Sequence, residues 1–278
     1  MPRHRYGFNE AKIARFHKEG RGQGDGVGYK PWLIISDVPS RGRSHRLQGL
    51  KTGRVHHLLS DIERGLFYLL DWSDAVIDIR EQFPLDRAVT QRIAEEMGID
   101  HPRDVATRTP LVMTTDFVVD SIKNGRMALH ARAVKPAKDL DDARTLAKLE
   151  IERRYWTEQG AEWGIVTEKD LPEIPIRNIA WVHSFASVDH LSQPYEGYFR
   201  EKADLLAREL PNSRAPSLRQ FSDEMDLRLG MDQGTALLLV RHLLARKTLH
   251  FPMEQVLDDQ TQPQWFQARV HDVAEALR

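Results

Sequence analysis

Asn124-Gly125 lies between two extended-looking runs, PLVMTTDFVVDSI (residues 110–122) and MALHARAVK (127–135). Asn-Gly in that setting is the strongest short-range hairpin signal, because the tight turn needs positive φ at both central positions. A two-residue loop pairs Lys123 with Arg126, and the register then places Asp116 opposite Ala133 and Thr114 opposite Lys135. Opposed residues share one side of a sheet, and Lys135, two residues from Ala133, shares it too. Asp116 and Lys135 are therefore expected as diagonal neighbours, roughly 7 Å apart along the backbone. Val112, Val118, Leu129 and Ala131 fall on the same side, which reads as buried.

A second charge falls on an apolar face upstream. LLSDIERGLFYLLDW (58–72) reads as a helix in which Ser60 and Glu63 fit the capping box. At roughly 100° per residue, Glu63 lies inside the arc of Leu59, Ile62, Leu66, Phe67, Leu69 and Leu70, with Asp61, Arg64 and Tyr68 opposite. A carboxylate there is costly unless it is paired. One reading is a capping glutamate plus a buried Asp116–Lys135 ion pair. Burying ions for stability alone is poor chemistry, because desolvation often exceeds the attraction. The sharper reading is metal-dependent phosphodiester hydrolysis. Mg2+ takes one or two carboxylates and keeps waters, and Mn2+ is expected to substitute. Such a metal acidifies water and neutralises developing phosphate charge, while a lysine shares that charge.

At 278 residues the chain has room for two domains, and 40 basic against 41 acidic side chains announce no nucleic-acid partner by net charge. Any phosphate-binding surface must be local. Residues 41–59 contain no acid, and Arg41, Arg43, Arg46, Lys51 and Arg54 there are candidate DNA contacts, although a solvated loop would read the same. Cysteine is absent, the N-terminus has no apolar signal core, and ALLLV (236–240) is too short to span a membrane, so a cytoplasmic protein with no membrane partner is expected. The glycines of GRGQGDGVG (20–28) precede strand-like KPWLII rather than a helix, which argues against a phosphate-binding loop and for a flexible arm.

Strands are expected at 75–79 and 163–167 and a helix at 139–159, with Leu146, Leu149 and Trp156 on one side. LPEIPIR (171–177) reads as a boundary. Helices at 188–210, 217–229 and 232–245, then strand-like RKTLHFPM, are the pattern of a winged-helix module, which serves DNA and protein partners alike.

Asp116…Ala133-Val134-Lys135 at a hairpin, with an acid from a preceding helix, resembles the restriction-endonuclease-like D…(D/E)xK fold. More closely, the chain resembles the TnsA family, the endonuclease subunit of heteromeric transposases. The matching stretches are GLKTGRVHHLLSDIE (49–63), DIREQFPL (78–85), MTTDF (113–117), AVKPAKDL (133–140) and KLEIERRYW (148–156), along with the glycine arm ending in YKPW and the helical C-terminal half. The likeness covers most of the chain and is densest up to Thr167. It implies an α/β restriction-endonuclease-like catalytic domain over residues 1–170 and a mostly α-helical, winged-helix-like domain over 171–278. It further implies a metal-dependent DNA endonuclease that cuts the 5′ strands at transposon ends. Glu63, Asp116 and Lys135 would be its catalytic residues, and Glu63, Asp116 and the Val134 carbonyl its metal ligands. Glu152 resembles an auxiliary acid, although an ion pair with Lys148 would explain it equally well. The implied partners are a TnsB-like DDE transposase, which makes the 3′ cuts and joins strands, and a TnsC-like AAA+ ATPase met by the C-terminal half. In one departure, Ala133 stands where the family commonly has glutamine and the broader class an acid. A stand-alone restriction-like nuclease or junction resolvase, and a non-enzymatic winged-helix regulator, remain open on the residues alone.

Overall fold

The computed structural model describes residues 7–38 and 42–268. The chain divides into two compact units between Leu171 and Pro172. The first contains α1 (Glu10–Lys18), β1 (His45–Gln48), β2 (Val55–Leu58), α2 (Asp61–Trp72), β3 (Val76–Pro84), α3 (Arg87–Glu96), β4 (Thr114–Lys123), β5 (Arg126–Val134), α4 (Ala143–Glu158) and β6 (Glu162–Val166). Strands β1 and β2 form a separate hairpin across the basic stretch. The main sheet has the order β3-β4-β5-β6. Its first three strands are antiparallel, and α4 carries the chain over to β6, which runs parallel to β5.

The β4–β5 turn has φ of 52° at Asn124 and 73° at Gly125, as a primed turn requires. Pairing starts at Lys123↔Arg126 and holds the expected register to Phe117↔Arg132. Beyond that rung a side chain replaces the ladder, and Asp116 Oδ2 accepts the Val134 N–H at 2.7 Å.

Two cores flank this sheet. On one face, Phe117, Val119, Ile79 and Val134 pack with Leu66 and Phe67 of α2. On the other, Val118 and Ala131 pack with Ile93 of α3 and Ile151, Tyr155 and Trp156 of α4. The Val118–Ala131 side, which carries Asp116 by strict alternation, therefore faces α3 and α4, and the sheet lies between it and the helix bearing Glu63. Tyr68 and Asp71 are also buried, because α2 carries the β1–β2 hairpin on its supposed solvent side, where Asp71 accepts the N–H groups of Leu50 and Lys51.

The glycine segment is folded, not a free arm. Gly22 donates to the Lys30 carbonyl at 2.6 Å, and a Cβ on Gly22 would come within 2.1 Å of Pro84 Cγ. Only glycine lets this segment cross β3 so closely with φ of 76°. KPWLII forms no strand; its Trp32 is buried against Ile13 and Phe16 of α1. Helix α4 starts at Ala143, where Asp142 accepts the Thr145 N–H, after a 3-10 turn at Ala137–Asp141. Leu146 is consequently 46% exposed, and Ile151 and Tyr155 complete the buried face.

The second unit comprises α5 (Glu173–His183), α6 (Tyr198–Glu209), α7 (Leu218–Leu229), α8 (Thr235–Ala245) and a two-residue ladder of β7 (Leu249–His250) with β8 (Gln267–Ala268). The boundary segment LPEIPIR opens α5. Pro172 caps that helix and Pro175 sits in its first turn, where a missing N–H costs nothing. Helix α6 begins at Tyr198 after Gly197, ten residues later than its apolar pattern suggests. Helices α5, α6 and α7 all pack on α8. Among the described residues no helix is long and apolar enough to cross a membrane.

Candidate active site

The end of the β4–β5 ladder creates the site. Asp116 stands where β4 parts from β5, one residue beyond their last rung, while β4 goes on pairing with β3 as far as Thr114. Oδ2 accepts from the Val134 N–H and, at 2.8 Å, from Lys135 Nζ, while Oδ1 accepts from Gln82 Nε2 at 3.3 Å. Lys135 Nζ also donates to the Val134 carbonyl at 2.8 Å, which leaves that oxygen one lone pair. Burial works against the Lys135 ammonium, but the charge and hydrogen bond of Asp116 outweigh it and push its pKa up.

Glu63 approaches from the first turn of α2 and is 5% exposed. Ser60 Oγ accepts the Glu63 N–H in the expected cap. In return, Glu63 accepts from Ser60 Oγ at 3.0 Å and from the Leu59 N–H at 2.9 Å, one residue before the usual box donor. Glu63 is thus a cap, and it also lies within electrostatic reach of Asp116 and Lys135. Burial, then the charge of Asp116, push its pKa up to about 7, against the pull of the Leu59 and Ser60 hydrogen bonds and of Lys135. Two acids that repel one another share one ammonium, so the cluster lacks positive charge.

Glu152 reaches the same place from α4. Its Oε1 accepts from Thr115 Oγ1 at 2.8 Å and Trp163 Nε1 at 3.2 Å, while Trp156 Nε1 donates to Thr115. At 5% exposure it is a core group, not the outer half of a surface pair with Lys148. Burial, then Asp116, push its pKa up to about 7. Asp116 is felt from both sides because it sits where β4 parts from β5.

Among the described residues no three His, Asp or Glu side chains form a ready-made metal cluster. Mg2+ does not need one: one or two carboxylates, a carbonyl and waters suffice. The donors here, all oxygen and short of positive charge, fit a hard divalent cation.

The basic stretch separates into surface and core. Arg54 is 8% exposed and does not belong to a DNA-facing surface: its Nη1 and Nη2 donate to Glu81 at 2.8 and 2.6 Å. Glu81 also accepts from His56 Nδ1 at 2.8 Å and from the His57 N–H. Arg43 and Arg46 are exposed and Lys51 half-buried, with Arg43 paired to Asp61 at 2.9 Å. Arg41 lies outside the described residues. Sequence reasoning missed Glu81, Gln82 and Thr115. The available signal for the first two was the consecutive polar run Arg80-Glu81-Gln82 in β3.

A mixed sheet with helices on both faces and two acids and a lysine gathered at one end fits the restriction-endonuclease-like class of nucleases. Residues 73–168 match the family described as TnsA-like endonuclease N terminal, and residues 170–253 match TnsA endonuclease C terminal. Over 250 residues the chain is 42% identical to the Transposon Tn7 transposition protein TnsA of Escherichia coli, covering 88% of this chain and 86% of that protein. The chain belongs to the TnsA family and is a DNA endonuclease subunit of a transposase. That membership disposes of the non-enzymatic reading and of the stand-alone nuclease, and an endonuclease of this family calls for a divalent metal cofactor.

Proposed function

We propose that Glu63, Asp116 and Lys135 form the hydrolytic centre of this endonuclease and that it cuts the 5′ strands at transposon ends. The observation that carries this is the pair of mutually repelling carboxylates beside one ammonium, because such a cluster is unfavourable until a cation joins it. Mg2+, with Mn2+ as substitute, would be held by Glu63, Asp116 and the remaining lone pair of the Val134 carbonyl. When bound, it supplies acidified water and neutralises charge developing on the phosphate. Lys135, fixed by Asp116 and the Val134 carbonyl, places its ammonium where the scissile phosphate gains charge. Glu152 holds Thr115 and so braces the backbone beside Asp116, as an auxiliary acid rather than a ligand.

The catalytic domain of this reading is residues 1–170. Residues 171–278 are winged-helix-like: a helix–turn–helix of α7 and α8 followed by the small β7–β8 ladder supports that assignment. This second domain would meet a TnsC-like AAA+ ATPase, while a TnsB-like DDE transposase makes the 3′ cuts and joins strands. Strand-resolved cleavage of an end-labelled transposon-end duplex, with that transposase present, tests the proposal. Cuts on the 5′ strand should vanish with chelator and return with Mg2+ or Mn2+. Cutting that persists in chelator, or 3′ cuts made by this subunit, would refute it.

DNA phosphates are assigned to Arg43, Arg46 and Lys51. Replacing Arg46 and Lys51 with alanine should weaken binding to all sequences and shallow its salt dependence by about one unit of slope per lost contact. An unchanged slope would make the hairpin a solvated surface.

A further inference from the structure

Gln82 lies on β3 beside the strand of Asp116: its neighbours Glu81 and Phe83 pair with Phe117 and Thr115. It is 2% exposed and has φ of 49°, a left-handed conformation that residues other than glycine seldom adopt. Such strain persists where the surroundings over-determine it, and it clusters at functional sites. The surroundings here are specific. The glycine segment crosses β3 and attaches to it three times: Gly26 N–H to Asp78, Tyr29 O–H to the Glu81 carbonyl, and Trp32 N–H to the Gln82 carbonyl at 3.1 Å. Trp32 is itself locked into the core formed with α1.

The side chain is over-determined too. An ionised carboxylate only accepts hydrogen bonds, so the amide nitrogen of Gln82 must face Asp116 Oδ1, which leaves its oxygen for Thr114 Oγ1 at 3.2 Å. Oδ2 of Asp116 is held at one point by Val134 and Lys135, but those bonds alone would let the carboxylate plane rotate about that oxygen through coupled changes of its two side-chain torsions. A donor on Oδ1 stops that rotation. Because the donor is neutral, it does so without cancelling the charge that a cation requires.

We infer that Gln82 is a positioning residue that sets the plane of the Asp116 carboxylate for the divalent cation, with the N-terminal segment holding Gln82 in place. This rests on the proposed role of Asp116.

The test uses the full chain with Q82M, which keeps the side chain's length without the amide, and Q82G, which suits the backbone and removes the side chain. D116N is the reference. Mn2+ is titrated against the thermal midpoint without DNA, and against strand cleavage in the complete reaction. Both Gln82 variants should need 10–100-fold more Mn2+ in both titrations, the usual effect of losing a group that orients a ligand. Cleavage should recover toward wild type at saturating Mn2+. A purely structural glutamine would lower the metal-free midpoint and leave the Mn2+ requirement alone. A wild-type requirement in Q82M while D116N loses its Mn2+ response would overturn the positioning role and leave the site standing. Full Mn2+ response and cleavage in D116N would overturn both. If Q82M does not fold, Q82G decides by the same criteria.

Discussion

Replacing Arg54 with alanine is expected to remove about 3–5 kcal/mol of folding stability at neutral pH, the scale for stranding one partner of a buried ion pair. The guanidinium makes a two-pronged bond to Glu81 and a third to the Ile79 carbonyl, and Glu81 is fully buried. Alanine would leave the carboxylate with His56 and one backbone N–H. Burial alone would raise the pKa of Glu81, but hydrogen bonds and charge from Arg54 and His56 lower it to about 2. The folded state therefore holds this proton less tightly than the unfolded chain does. The resulting stability is complete above the ordinary value of 4.5 and is lost as pH falls from there to about 2. The gap between wild type and Arg54→Ala should consequently be widest near pH 7 and narrow steadily below pH 4.5. Denaturant unfolding at several pH values measures this. A variant within about 1 kcal/mol of wild type at pH 7 would place Arg54 at the surface, where exposed pairs contribute no more than that.

That arginine marks a limit of what the sequence discloses. A run of basic residues without a nearby acid looked like one surface, but the acid that claims Arg54 is Glu81, on another strand. No local pattern announces an ion pair that only sheet assembly creates. The glycine segment is a similar case. Its composition suits a flexible tether, whereas Gly22 is needed because the chain there passes within contact of Pro84. Helix α5 was lost because two prolines look like breakers, although both fall where a helix start tolerates them.

The site was more legible than its surroundings. Asn124-Gly125 fixed the β4–β5 register by simple counting, and this brought Asp116 to Lys135. The capping pattern and the apolar arc together placed Glu63 on a buried helix face. The route by which the acids converge was not legible. Strict alternation puts Asp116 on the α4 side, away from α2. The ladder's early end lets Asp116 interact with acids from both layers, and Gln82, with its unusual backbone, holds it there.

Glu63→Gln isolates the central claim, that these buried acids serve hydrolysis rather than helix capping. Glutamine also fills the third helical position of a capping box and can still accept the Leu59 N–H, so the cap should survive. The substitution removes a charge that burial and Asp116 make costly. Without divalent metal, then, the thermal midpoint of the variant at pH 8 should equal or exceed that of wild type. Mg2+ should raise the wild-type midpoint, because a ligand that binds the folded state stabilises it, and should raise the variant's far less. Cleavage should fall by at least about 100-fold, the scale for removing one group that stabilises transition-state charge. The decisive measurement is the single-turnover cleavage rate of Glu63→Gln against wild type in saturating Mg2+, with both midpoints recorded alongside. A collapsed rate with an intact metal-free midpoint is the predicted result; a wild-type rate would reduce Glu63 to a helix cap and contradict the proposed hydrolytic centre.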